Sequence, residues 1–391
     1  MIMNNPKGCW RVCAGAAIVL FCVLGLMING FSIYLPLLMD RCGLSHTQTS
    51  LFVTVRSLIS LVCMFFMGLY HKKMGIRMGM VLTVLLGATA MFIFAFAEGI
   101  AGLCVASVVG GFASGLLGNT YASALLIRRW FQKHSGVALG IASASTGFAT
   151  VVGAPLVTAL VQRTSVKTSL LVEGFVFVAL AVLAFALIRN FPVGYSVDET
   201  KPSGKKAAIR LTVPMVTMVL LGAIGGPGLQ FLSMHYTHCG FSAAQVTLLV
   251  SLIGGTLTVS KFLFGEAVDR WGGYRSNRFF FGAAILAGIL CCLPLGYGGA
   301  VASVLLFGLG MSFCTVGLTI FAKDLSEPDE FERSLRGYQI AYQVGVVVFG
   351  TTPGLIADWT GSYVTFYAML AIFAAAALAV IQHNYRKKGK I

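Results

Sequence analysis

The chain has 391 residues, of which 57% are hydrophobic and only 10% are charged, and its mean hydropathy is +0.87. A soluble domain carries roughly 25% charged residues, so this chain has too few to cover a surface that faces water. The composition excludes a soluble enzyme, a nucleic-acid-binding protein and a disordered scaffold. The net charge of +15 is therefore attributed to the cytoplasmic loops of a membrane protein, where Lys and Arg accumulate.

Long apolar runs follow one another along the chain, and each can cross a hydrocarbon core of ~30 Å. They cover residues 12–39, 47–69, 76–97, 99–127, 135–161, 168–188, 212–236, 243–267, 276–297, 299–322, 335–357 and 362–383. Membrane-spanning β-strands would instead be short alternating segments. The sequence therefore predicts an all-α membrane protein with twelve transmembrane helices.

The distribution of Lys and Arg predicts the orientation in the membrane. If the N-terminus is cytoplasmic, 23 of the 28 Lys and Arg residues fall in cytoplasmic segments, and only Arg41, Arg163 and Lys167 fall in outer loops. The other two, Arg56 and Lys261, lie inside predicted helices. Because cytoplasmic loops are enriched in Lys and Arg, we expect a multi-pass protein of the cell membrane with both termini in the cytoplasm.

An internal repeat predicts two six-helix halves. The N-terminal half is expected at residues 1–188, a polar cytoplasmic linker at 189–211, and the C-terminal half at 212–391. At an offset of 197 residues, Cys42-Gly43-Leu44-Ser45 meets Cys239-Gly240-Phe241-Ser242, Gln48 meets Gln245, and Gly68 and Gly75 meet Gly265 and Gly272. Parallel six-helix repeats of this kind are a general design of secondary transporters. A channel or a membrane enzyme does not need the duplication.

A glycine-rich motif follows the eighth predicted helix, in what we expect to be a short loop. Residues 265–273 contain the pattern Gly-x-x-x-Asp-Arg-x-Gly, and the copy at 68–75 keeps both glycines but has Lys72 in place of the Asp. The pattern resembles the loop signature of the major facilitator superfamily. That resemblance implies the facilitator fold and alternating access by rocking of the two halves. It also implies an inner gate, formed by Gly265, Asp269, Arg270 and Gly272.

A narrower resemblance covers the first, fourth and fifth helices. The motifs are Gly30-Phe31-Ser32-Ile33-Tyr34, Gly115-x-x-Gly118-x-x-Tyr121, Arg129-Trp130-Phe131 and Gly136-x-Ala138-x-Gly140-Ile141-Ala142. They look like the oxalate/formate antiporter and monocarboxylate porter branch of the superfamily. In that branch a basic residue, usually Arg, precedes the first Gly of the loop signature by four residues and pairs with a substrate carboxylate. Lys261 holds this position here. Its compact charge favours an anionic substrate but puts bidentate, oxalate-like recognition in doubt.

Two cations inside the predicted helices are functional candidates, because an ionisable residue in a membrane span costs ~2.5–3.5 kcal/mol on insertion scales. Arg56 is expected ~13 Å into the second helix and Lys261 ~12 Å from the cytoplasmic loop. The alternatives are that Arg56 binds backbone carbonyls and that Lys261 extends to the inner surface. Glu98 and Glu173 are expected near the outer surface, so the sequence predicts no carboxylate proton relay in mid-membrane.

The predicted substrate site consists of charged, polar and aromatic residues at the depth of a central cavity. They are Lys261, Arg56, Tyr34, Asn119, Tyr121, Gln230, Tyr342 and Gln343, with Ser143 and Thr146 as further candidates. Each could instead serve in contacts between helices. No catalytic constellation, cofactor motif or metal-ligand spacing is found, and the sequence does not indicate an oligomeric state.

The leading functional prediction is a secondary transporter of a small organic anion, either a mono- or a dicarboxylate. Transport would run by anion exchange or by proton-linked symport, so the expected partners are the anionic substrate, a proton or a counter-anion, and membrane lipid, but no nucleic acid. Two alternatives stay open. One is a facilitator that exports drugs or another neutral solute, and the other is a membrane sensor that has the same fold but does not transport.

Overall fold

The computed structural model describes residues 6, 8–118, 120–131, 134–190, 213–327 and 330–389. The regular structure of these described residues is entirely helical. The spanning helices are α1, Cys9–Cys42; α2, His46–Met64; α3, Ile76–Phe96; α4, Ile100–Leu117; α5, Ser135–Arg163; α6, Val166–Leu187; α7, Pro214–Gly228 with Leu232–His238; α8 and α9, the two parts of Ala243–Cys291; α10, Gly296–Cys314; α11, Arg333–Thr360; and α12, Val364–Lys387. Shorter helices, Met67–Met74, Tyr121–Trp130 and Val316–Leu325, follow α2, α4 and α10.

The helix Ala243–Cys291 contains two membrane spans. Its 49 residues would extend ~74 Å as one straight helix, whereas the hydrocarbon core is ~30 Å thick. Gly272 interrupts it with φ 76° and ψ 159°, which separates α8 (243–271) from α9 (273–291). Counted in this way the described helices make twelve spans, as the sequence predicts. The prediction of a short loop at 265–273 is wrong, because the helix continues through Gly265 and turns only at Gly272.

The two halves repeat the same local structure. Ser45 and Ser242 each begin a helix. The serine hydroxyl oxygen accepts a hydrogen bond from the backbone amide three residues on, and the glutamine side chain at that position accepts a hydrogen bond from the serine amide. This reciprocal arrangement is a capping box, which satisfies two amides at a helix start. Gly75 and Gly272 both have positive φ, 74° and 76°. The pseudo-symmetric design predicted from the repeat is thereby confirmed.

The regular α-helical hydrogen bonding of the first helix of each half is broken at its centre, although α1 continues as one span and only α7 is bent there, by 53°. Residues Phe21–Asn29 of α1 and Ile224–Gly228 of α7 form π-helical turns. In α7 the break contains Pro227, which lacks an amide donor. A π-turn changes the hydrogen-bonding register and places backbone carbonyls at the centre of the bundle. Close packing accompanies the break in α1, since a Cβ on Gly25 would lie 2.3 Å from the Cβ of Ala149.

The two halves meet along α5 and α8, along α2 and α11, and along α1 and α7. The backbones of α5 and α8 approach closely, because a Cβ on Gly147 would lie 2.6 Å from the carbonyl oxygen of Gly254. We call the end of the bundle where α2 begins the His46 end, and the opposite end, where α3 begins, the Gly75 end. The predicted linker at 189–211 lies almost wholly outside the described residues, which stop at 190 and resume at 213.

Candidate functional site

Arg56 links the two halves at the centre of the bundle. It lies in α2, and its side chain is only 3% exposed. Nη1 donates to the carbonyl oxygen of Met27 at 2.9 Å, and Nη2 donates to Oε1 of Gln230 at 3.0 Å. The ring of Phe31 lies 5.4 Å from the guanidinium carbon. Met27 belongs to the π-helical turn of α1 and Gln230 follows that of α7, so both broken helices supply an acceptor.

Lys261 makes a second link between the halves, in which the C-terminal half supplies the cation and the N-terminal half supplies the acceptors. It belongs to α8 in the C-terminal half and is half-buried. Its Nζ donates to Thr146 Oγ1 at 3.2 Å and lies 3.4 Å from the carbonyl oxygen of Ser143, and both residues belong to α5 of the N-terminal half. In this conformation the ammonium is therefore bound by α5, and the side chain does not extend to the inner membrane surface.

The two cations border the same segment of α1. Thr146, which accepts from Lys261, also packs against the π-helical turn, because a Cβ on Gly25 would lie 3.1 Å from the Thr146 carbonyl oxygen. Met27, which accepts from Arg56, stands two residues further along that turn. Arg56 therefore binds this turn of α1 directly, whereas Lys261 is connected to it through Thr146 of α5.

Both cations are held by neutral oxygens only. Within the described residues, the ion pairs join Arg270 with Glu266 and Lys388 with Glu327, and neither pair includes Arg56 or Lys261. A buried cation without a counter-charge is costly in a medium of low dielectric constant. Arg56 and Lys261 thus provide two positive charges that an anion can satisfy better than the amide, hydroxyl and carbonyl groups now bound to them.

The other predicted substrate residues are distributed more widely. Gln343 of α11 donates from Nε2 to the carbonyl oxygen of Ser57, next to Arg56, at 3.3 Å. The hydroxyl of Tyr342 packs inside the C-terminal half, close to Gly225. Tyr121 begins the short helix near the Gly75 end and is 41% exposed. Asn119 lies outside the described residues. Arg56, Gln230 and Gln343 therefore form one group, whereas Lys261 is bound separately, by α5.

Tyr34 lies against a buried acid that the sequence analysis placed at the outer surface. Glu173 of α6 is only 8% exposed, and its Oε2 accepts a hydrogen bond from the Tyr34 hydroxyl at 2.9 Å. The same hydroxyl lies 2.9 Å from Oγ of Ser169. Glu173 is buried inside the protein because α6 packs this face against α1. The sequence gives little indication of this contact, because Tyr34 and Glu173 are 139 residues apart.

A second set of contacts closes the His46 end. The carboxylate of Asp358 in α11 accepts from the backbone amides of His46, at 3.1 Å, and Thr47, at 2.8 Å. Nδ1 of His46 lies 2.8 Å from the hydroxyl of Tyr363. An acid at the start of a helix satisfies free amides and interacts favourably with the helix dipole. Further bonds between the halves join Ser50 with Thr351, Thr158 with Thr247, and Ser233 with Ser32.

The predicted inner-gate residues lie at the Gly75 end. Asp269 is exposed, and Arg270 forms an ion pair with Glu266 one turn earlier on its own helix. These two paired side chains are 71% and 58% exposed, so the pair contributes little to stability. Gly272 supplies the positive φ that ends α8. Gly265 has no neighbouring atom within 4 Å of the position of a Cβ, so packing does not require a glycine there.

Comparison with protein families gives the class. Residues 17–333 match the Major Facilitator Superfamily, which covers most of the chain, and the chain belongs to that family. It is 22% identical to monocarboxylate transporter 12 of Mus musculus, over 97% of this chain and 86% of that protein. It is 24% identical to the uncharacterised transporter YhhS of Salmonella paratyphi C and 26% identical to an uncharacterised transporter of Pseudomonas aeruginosa. The chain spans only 51% and 42% of the length of these two bacterial relatives.

Solved structures share the fold. A mutant of the nucleoside transporter NupG superimposes with a TM-score of 0.75 at 14% identity, over 97% of this chain and 100% of that one. A bacterial homologue of the human lysosomal transporter Spinster, in an inward-facing and occupied conformation, gives a TM-score of 0.69 at 12% identity over 98% of both chains. These similarities establish the fold, a bundle of membrane-spanning helices. At such low identity they do not identify a substrate.

Proposed function

We propose that the chain carries a small organic anion, either a mono- or a dicarboxylate, across the cell membrane by alternating access. The observation that supports this proposal is the pair of cations at the interface between the halves. Arg56 and Lys261 are each bound by neutral acceptors of the opposite half. Substrates of positive or zero charge would leave these two charges without a counter-charge.

The mechanism follows from what a carboxylate would replace. A carboxylate adds an attraction between opposite charges that the present neutral acceptors lack, so at Arg56 it would displace Gln230 and at Lys261 it would displace Thr146. Each displacement removes a bond between the halves and substitutes a bond through the substrate. A ligand that binds one arrangement of the halves more tightly shifts the equilibrium between arrangements. Anion binding is thereby coupled to rocking of the halves.

The proposed orientation puts the His46 end outside the cell. The excess of Lys and Arg at the other end supports cytoplasmic termini. With that orientation, the bonds of Asp358 to the start of α2 hold the outer ends of the halves together. The site would then be reached from the cytoplasm in this conformation. The gate at Asp269 and Arg270 would form in the opposite, outward-open conformation, since Arg270 now pairs within its own helix.

Two other functions compete with this proposal. A facilitator for a neutral solute has support from the fold shared with a nucleoside transporter, but it leaves the buried Arg56 and the half-buried Lys261 unexplained. A sensor without transport would use the same site for binding alone. The similarity to a monocarboxylate transporter along nearly the whole chain favours an acid as substrate.

Counterflow in proteoliposomes tests the proposal. Vesicles loaded with unlabelled lactate, formate, oxalate or succinate are diluted into the labelled acid, with uridine as a neutral comparison. We expect exchange of at least one acid by the wild type and loss of this exchange in Lys261→Met, which keeps the length of the side chain. Exchange of uridine alone would favour the neutral-solute alternative. Saturable binding of an acid without any flux would favour the sensor.

A further inference from the structure

Glu173 has an environment unlike that of the other acids described. It lies inside the N-terminal half, and its polar neighbours are the hydroxyl groups of Tyr34 and Ser169, which are each 1% exposed. None of the ion pairs among the described residues involves it. An ionised carboxylate buried without a cation is costly, so this position favours a carboxyl group that gains and loses a proton.

Among the described residues, no Lys or Arg side chain forms an ion pair with Glu173. From α1 the titratable neighbours are Tyr34 and the thiol of Cys22. From α3 the ring of Phe92 packs against Gly174, next along α6. The cations nearest along these helices are bound elsewhere: Arg41 to the carbonyl of Ala95, Lys167 on the ring of Phe96, and Arg77 to the carbonyl of Phe185.

Two proton arrangements satisfy the same three side chains. When Glu173 is ionised, Ser169 donates to the Tyr34 oxygen and Tyr34 donates to the carboxylate. When Glu173 is protonated, it donates to Tyr34, and Tyr34 donates to Ser169. Both distances are 2.9 Å, and a phenol can donate and accept at once. A proton can therefore bind or leave without creating an unsatisfied polar group.

The proton position is connected to the proposed anion site through α1. The ring of Tyr34 lies 5.6 Å from that of Phe31, which in turn lies 5.4 Å from the guanidinium carbon of Arg56. Tyr34 follows the broken segment whose Met27 carbonyl binds Arg56. An anion that replaces Gln230 at Arg56 would therefore bind next to the segment that positions Tyr34.

We infer that Glu173, Tyr34 and Ser169 form a proton-binding site that makes transport of the anion a proton-linked symport. The inference rests on the proposed function and names its coupling ion. One proton binds to Glu173 on the side of the membrane from which the anion enters, and it leaves on the other side when the anion is released. The position was not expected from the sequence, where no carboxylate relay in mid-membrane is apparent.

Infrared titration of the purified protein tests the proton site without any substrate. We expect a band of a protonated carboxyl group that disappears at alkaline pH in the wild type. The band should be absent from Glu173→Gln and retained in the control Glu98→Gln, whose carboxyl is exposed in the same half. Tyr34→Phe should shift the band, because the carboxyl loses its partner. A titrating band that is identical in the wild type and Glu173→Gln would overturn the inference.

Transport assays then test coupling, with labelled lactate, formate, oxalate and succinate as probes. Glu173→Gln imitates the protonated form permanently, so we expect it to exchange the acid in counterflow while losing uptake driven by a pH gradient. Glu98→Gln should keep both activities. Gradient-driven uptake that persists in Glu173→Gln would reject the proton site. If the wild type exchanges none of the four acids, the proposed function fails instead, and the infrared result still decides whether Glu173 binds a proton.

Discussion

Arg56 donates to the amide oxygen of Gln230 at 3.0 Å, although the two residues belong to opposite halves and are 174 residues apart. A buried guanidinium of the N-terminal half thus binds a neutral group of the C-terminal half. The contact satisfies one donor without neutralising the charge. An exchangeable link of this kind suits a transporter, since a permanent ion pair at the same place would hold the halves together.

The first prediction makes this link permanent. Gln230→Glu places a carboxylate in the position of the amide and pairs it with Arg56 for as long as the halves touch. We expect anion exchange to fall to the background of empty vesicles and the thermal stability of the purified protein to be maintained or raised. The matched control is Gln245→Glu, because glutamate serves equally well in the capping box of α8. Normal exchange by Gln230→Glu would show that Arg56 does not need to be released.

The second prediction concerns Lys261. Lys261→Met keeps the apolar stem and removes the charge, so we expect anion binding to be lost while the protein still inserts and folds. Lys261→Arg should retain partial exchange, because the charge survives and only its hydrogen-bonding geometry changes. Binding of the exchanged acid to purified variants measures both effects. Lys387→Met, at the end of α12, is the control for loss of a positive charge, and unchanged affinity in Lys261→Met would reject the anion site.

The sequence predicts the spans, the repeat and the two central cations because each depends on local information. Apolar length defines a span, and the matched Ser45 and Ser242 identify the capped helices of both halves. The partners of the cations depend on tertiary structure. The π-helical turn that offers the Met27 carbonyl to Arg56 has no distinctive pattern, because its single glycine, Gly25, also serves helix packing.

Two acids illustrate why contacts between distant residues could not be predicted from the sequence. Glu173 stands early in α6, so its position along the helix suggests the membrane surface, whereas packing against α1 buries it. Asp358 stands near the end of α11, and its role follows only from the proximity of His46, which is 312 residues away in sequence. Neither contact can be predicted from the charge pattern of a single helix.

The third prediction compares two glycines of the loop motif. Gly272 has φ 76° and ψ 159°, a conformation that is essentially restricted to glycine and costs other residues about 1–3 kcal/mol. Gly272→Ala should therefore lower the thermal unfolding midpoint. Gly265→Ala should leave it unchanged, since a Cβ there meets no atom within 4 Å. Slower transport by Gly265→Ala with normal stability would indicate that this glycine is needed in another conformation. Equal destabilisation of both variants would contradict the prediction.

The fourth prediction concerns the closure of the His46 end by Asp358. Its carboxylate accepts from the amides of His46 and Thr47, while Ser45 accepts from the next amide, so the free amides at the start of α2 are satisfied partly across the halves. Loss of a helix-capping side chain costs about 0.5–2 kcal/mol. We therefore expect Asp358→Ala to raise hydrogen–deuterium exchange at residues 46–48 and to shift the protein towards opening at this end. Asp40→Ala, an exposed acid at the same end, should change neither. Exchange at 46–48 that is as slow in Asp358→Ala as in the wild type would show that the other contacts between the halves close this end without the carboxylate.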